Sequence, residues 1–120
     1  TTVGAMLTAH HVNAFLLIAV CMLASGAALY ARRRHAGTLV SQLLALAQTL
    51  LVAQVALGLL LLSDHRRAHD HLHYAYGTFA LLGVLSPWLY APAEPRARLA
   101  WFAGATLVAA ALAIRAYMTA

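Results

Sequence analysis

Histidine is the residue type that could do chemistry in this chain. His69, His71 and His73 fall within the stretch His-Asp-His-Leu-His-Tyr-Ala-Tyr-Gly that ends at Gly77, where a polar connection becomes a long apolar run. A second pair, His10 and His11, opens the first apolar run. Neutral imidazole nitrogen is a strong ligand for haem iron, and two imidazoles on opposite sides of one plane saturate it. Ionisable groups at the edge of an apolar segment are costly unless they have a partner or a task. The competing reading is that these histidines are interfacial and wetted by headgroup water.

The surrounding residues fit a macrocycle. Gly77 lies one turn after His73 on the same helical face, and a residue without a side chain lets a flat ring lie close. Gln54 and Gly58 are spaced by four on another segment. Gln54 is read as an interior hydrogen-bonding group, or alternatively as an interhelical bond. Gly58 and Gly77 are read as room for a ligand, or as close helix packing. Arg66 and Arg67 are candidates to pair with propionates, against the reading of a solvated loop. A second constellation overlaps the first: if the connection is helical, His65, His69 and His73 stand at i, i+4 and i+8. Such a stripe could take Zn or Cu, although its spacing matches no strong metal signature.

The elements that would position these groups are helices in a membrane. Of 120 residues, 63% are hydrophobic and only 9% are charged. A soluble domain of this size keeps too large a surface to hide so much apolar area. Four apolar runs, at 5–31, 39–62, 71–90 and 99–118, each have about the 20 residues a spanning helix needs. Backbone groups in lipid must be satisfied within the segment, which favours helices. The connections at 32–38, 63–70 and 91–98 are short, so neighbours run antiparallel. The expected fold is all-α, an integral membrane up-down four-helix bundle, with residues 1–120 as one domain. Pro87 is expected to kink or end the third helix, and Pro92 and Pro95 to break the chain before the fourth.

In that topology the first and third helices run the same way. His10 or His11 then lies at the same end and depth as His73, within about two turns of the surface. His10 and His11 are about 100° apart around a helix, so only one of them faces a given iron. His71 is turned nearly opposite to His73. His69 shares its face one turn further out and is a reserve ligand.

The charge of +5 is read as loop charge that orients a membrane protein rather than as a nucleic-acid footprint, and no nucleic-acid partner is expected. Arg32, Arg33, Arg34, Arg96 and Arg98 lie on one side, and Arg66, Arg67 and Arg115 on the other. The bias puts the first and third connections in the cytoplasm and both termini outside. Tyr30, Trp88, Tyr90 and Trp101 near the inner ends, with Tyr117 near an outer end, read as interfacial anchors. The basic residues other than histidine are all arginine, which suits a GC-rich bacterial genome and a bacterial cytoplasmic membrane. No basic segment precedes the first run, so the first helix is expected to direct insertion without a cleaved leader. The single cysteine, Cys21, excludes an internal disulfide and is read as a small buried apolar side chain.

His11 opening one helix, Gln54-Val55-Ala56-Leu57-Gly58 in the next and His73 opening the third resemble one half of heme A synthase. That family resembles a tandem of two four-helix bundles, each with two histidine-bearing helices and a Gln-x-x-Leu-Gly run. The resemblance covers residues 8–85. It implies a bis-histidine haem between the first and third helices near the outer face, and it selects His11 over His10, which becomes a reserve. In the family's catalytic half a glutamate stands three residues before the first histidine. Here that position is Thr8, and the only glutamate is Glu94, in the third connection. The cysteine pair of many members is also absent. The resemblance therefore implies the haem-holding half.

The expected function is that of a b-type haem membrane protein, with haem b or another haem as cofactor. It would transfer electrons or carry haem as a small subunit. Its partners would be the lipid bilayer and other membrane redox-complex subunits, or a homodimer partner. A half-size heme A synthase and a cofactor-free accessory subunit are the alternatives.

Overall fold

The computed structural model describes residues 2–31, 37–63, 68 and 71–119. Its elements are α1 (Thr2–Ala31), α2 (Gly37–Ser63), α3 (Leu72–Leu85), α4 (Pro87–Tyr90) and α5 (Pro95–Met118). α1, α2 and α5 are long and apolar enough to cross a membrane.

The third run, expected over 71–90 with a kink or an end at Pro87, is interrupted at that point. α3 ends at Leu85 and four residues of α4 follow Ser86. The cause is Pro87, which has no N–H to give the carbonyl four residues back and whose ring crowds it. That carbonyl belongs to Gly83, and it is instead met by the Ser86 N–H at 3.2 Å and the Ser86 hydroxyl at 2.7 Å. Helical backbone at Ser86 (φ −58°, ψ −34°) carries the chain into α4. Pro95 also departs from expectation, since it begins α5 rather than breaking the chain ahead of it. Proline at the first helical position loses nothing, because its N–H would be unpaired there. Glu94 completes the start: its carboxylate accepts from the N–H of Arg96 at 3.0 Å and of Ala97 at 2.7 Å.

The helices form an up-down bundle. Early α1 meets late α2 through Asn13 and Leu50, and late α1 meets early α5 through the Ser25 hydroxyl and the Ala103 carbonyl at 2.8 Å. Early α3 meets late α5 through His73 and Ala116. Around the bundle the order is α1, α2, α3, α5. α1 and α3 therefore stand diagonally and do not pack on one another, and the seam between α2 and α3 is the loosest of the four.

These helices are apolar on all sides, so hydrophobicity does not select the inner face. Size does. On α1 the buried residues Ala14, Leu17, Cys21, Ala24 and Ala28 alternate steps of three and four, whereas Phe15, Leu16, Met22 and Leu23 point outward. Elsewhere in the core Ala47, Ala80, Ala103, Ala109 and Ala110 are also buried. Small inner residues let backbones approach closely, which is how helices associate when water does not drive them together. Cys21 is fully buried as a small core residue. Tyr30, Trp88, Tyr90 and Trp101 are exposed at one end and Tyr117 at the other.

Candidate functional site

The end of the bundle where α1 and α3 begin and α2 and α5 finish holds the described histidines. His73 sits in the first turn of α3. Its Nδ1 lies 2.6 Å from the carbonyl of Ala116 in the last turn of α5, which also accepts from the N–H and hydroxyl of the capping Thr119. A carbonyl can only accept, so Nδ1–H donates. In the neutral ring this leaves Nε2 with a free lone pair.

The ring that faces His73 is His10, not His11. The ring centres of His10 and His73 are 6.2 Å apart at an interplanar angle of 71°. His10 is half-buried, and its Nδ1 is buried without a hydrogen-bond partner among the described residues. A buried polar nitrogen left unpaired is uncommon and asks for a reason. His11 is exposed, with its ring centre 6.5 Å from that of His10. Position 10 continues the small inward stripe of α1 one step toward the N-terminus, and position 11 continues the outward one. That stripe is the signal that selects between the two histidines.

A cavity of about 380 Å³ lies between the helices here. His10, His11, Gln54, Gly58, His73 and Gly77 all line it, among mostly apolar neighbours. A Cβ on Gly58 would come within 3.3 Å of His10 Cε1, whereas one on Gly77 would meet nothing within 4 Å. Gly58 thus lets the His10 ring lie against α2, and Gly77 leaves open space beside α3.

Asn13 is a residue that the sequence reading passed over. Its Nδ2 donates to the Leu50 carbonyl and to Gln54 Oε1, both at 3.0 Å. Because the Leu50 carbonyl only accepts, Asn13 must present its NH₂, and Gln54 must answer with oxygen. The Gln54 NH₂ is then the group left for the cavity. Gln54 therefore bonds across helices and also lines the site, which joins two readings that the sequence kept apart. Tyr74 is a second addition. Its hydroxyl accepts from the Ala68 N–H at 2.9 Å, and both residues line the cavity.

Arg66, Arg67 and the reserve ligand His69 lie outside the described residues, as does His65 of the Zn or Cu stripe. His71 is exposed at the start of α3. Among the described residues no group of three or more histidine, cysteine or acidic side chains is placed to hold a metal ion. No family model, no curated protein and no solved structure matches the chain.

Proposed function

We propose that the chain is an integral membrane cytochrome that holds haem b between His10 and His73 and passes electrons. The carrying observation is the facing of two imidazoles from diagonal helices across a largely apolar cavity, each with a ring nitrogen not engaged by the protein. The ring centres of His10 and His73 stand 6.2 Å apart, and these two side chains would hold the haem iron, which would supply the redox centre.

The residues present fit the group. Gly58 and Gly77 leave room beside the plane, the Gln54 NH₂ offers a donor one helical turn below Gly58, and Arg66 and Arg67 are the cations proposed for the propionates. The bond from His73 Nδ1 to Ala116 holds its ring in one tautomer and orientation, as second partners of ligating histidines do. When bound, haem supplies one-electron exchange at its iron. The reading is electron carriage rather than oxidation of a haem methyl, because Thr8 stands where the catalytic half of heme A synthase has glutamate.

Titration of purified protein with hemin tests this. One equivalent should bind with the spectrum of low-spin, bis-imidazole iron, and pyridine extraction should return unaltered haem b. Unsaturable binding or a high-spin spectrum defeats the reading.

Membrane insertion is supported by the large apolar residues that ring the middle of the bundle, among them Leu16, Leu23, Val52, Phe79, Leu82 and Val108, all about half exposed or more. Such a surface is foreign to a water-soluble monomer. The arginine bias supports an orientation with Arg32–Arg34 in the cytoplasm and the histidine end outside. A cysteine at position 35 (H35C) should resist an impermeant maleimide in intact cells. Ready labelling reverses the orientation and moves the haem to the cytoplasmic side.

A further inference from the structure

The seam between α2 and α3 is closed at one end and open at the other. At the end away from the histidines, Trp88 Nε1 donates to Gln48 Oε1 at 2.9 Å and ties α4 to α2. Gln48, Val52, Val55 and Leu59 follow one another on α2 at steps of four, three and four, so they share the face that meets α3 and α4. Beyond the tie that face is uncovered: Val52 is 49% and Leu59 60% exposed. Leu59 also lines the cavity, as does Thr78 opposite it on α3, which is exposed too. The cavity therefore opens sideways between Leu59 and Thr78.

The rim of this opening suits hydrocarbon rather than water. Leu59, Val55 and Leu62 form the α2 side. On α3 the Thr78 hydroxyl is spent on the Tyr74 carbonyl at 2.8 Å, and the Tyr74 hydroxyl on Ala68. The Thr78 hydroxyl hydrogen is thus satisfied within its own helix and the Tyr74 oxygen accepts a backbone N–H, which lowers the polarity shown to lipid. Leu59 lies four residues from the end of α2 and Thr78 six from the start of α3. At 1.5 Å per residue the opening is about 6–9 Å inside the helix ends, which is the depth of the boundary between headgroups and acyl chains.

We propose that the cavity is loaded sideways from the bilayer, through the seam between Leu59 and Thr78, by a planar apolar ligand dissolved in the lipid. The proposal rests on the haem reading for the ligand's identity, but not for the route. Wild-type protein in vesicles should take up hemin predissolved in the lipid faster than hemin offered on albumin in the water. The pair of substitutions Leu59→Trp and Thr78→Phe fills the rim and keeps the two proposed ligands, His10 and His73. It should slow uptake from lipid at least tenfold while slowing uptake from albumin by less. Wild-type uptake rates in the double variant, or faster loading from albumin, overturn the route.

A ligand-free measurement decides the matter even if hemin never binds, an outcome that would sink the haem reading. A nitroxide at position 78 (T78C) should be relaxed more strongly by membrane-dissolved oxygen than by a water-soluble nickel chelate. The reverse order means that the opening faces water, and the lateral route is then wrong.

Discussion

His10→Ala and His73→Ala are each expected to abolish the low-spin spectrum of hemin-loaded protein, whereas His11→Ala is expected to leave it intact. Loss of an outer hydrogen-bond partner of a metal ligand costs about 10–100-fold in affinity. Loss of the ligand itself should exceed that, so hemin should bind at least about a hundredfold more weakly. The argument for His10 is geometric: its ring, and not that of His11, faces His73 at 6.2 Å, and its buried Nδ1 has no partner among the described residues. His11 is exposed one residue on. His73 commits its Nδ1 to Ala116, which leaves Nε2 for a ligand. Absorption spectra and hemin titrations of the three variants are the check, and free imidazole should restore the low-spin form in His73→Ala by filling the vacated position. If His11→Ala loses haem and His10→Ala keeps it, the pairing implied by the resemblance to heme A synthase is right and the pairing argued here is wrong.

Gly58→Leu is expected to produce the next largest effect, a loss of at least about tenfold in hemin affinity, or about 1.4 kcal/mol, with a partly high-spin spectrum. A Cβ at this position already comes within 3.3 Å of His10 Cε1. The further atoms of leucine must occupy space now held by the ring, which pushes His10 off its line toward His73. Gly58→Ala makes a graded comparison. Replacing glycine in a helix interior gains about 0.5–1 kcal/mol of helix stability, and a shift of a few tenths of an ångström relieves a single methyl. The alanine variant should therefore melt no lower than the parent and keep a low-spin spectrum. Equal affinity of parent and leucine variant would show that His10 is not held against α2 when haem is bound.

The helical segments were legible because apolar run length and short polar connections report directly on long apolar helices, although among the described residues only α1, α2 and α5 reach the length to cross a membrane. The ends of those segments were less so. Proline has opposite meanings at Pro87 and Pro95, and only the neighbouring Ser86 and Glu94 show which applies. The histidine end of the bundle was legible from parallel placement of the first and third helices. That the His10 ring, rather than that of His11, meets His73 was not legible, since amphipathicity, the usual guide to a helix's inner face, is missing when every face is apolar. Residue size carries the same information: the series Ala14, Leu17, Cys21, Ala24, Ala28 points back to position 10. Asn13 was overlooked because a lone amide in an apolar run says nothing of its partner. Its role depends on meeting the Leu50 carbonyl and Gln54 on a different helix, which no local pattern encodes.

The sorting of residues by size has a bearing on which substitutions the chain tolerates. In a water-soluble core, exchanging one apolar side chain for another is the mild change, and introducing a polar one is the severe change. Here outward positions such as Leu16 and Leu23 are more than half exposed, and in the proposed membrane setting they would accept any apolar side chain. Inward positions such as Ala24, Ala28 and Ala109 are fully enclosed, and alanine to leucine there forces helices apart, at a cost of about 1–3 kcal/mol. The substitution that a hydropathy scale scores as neutral is then the harmful one, and the quantity that must be held constant along the inner stripes is volume.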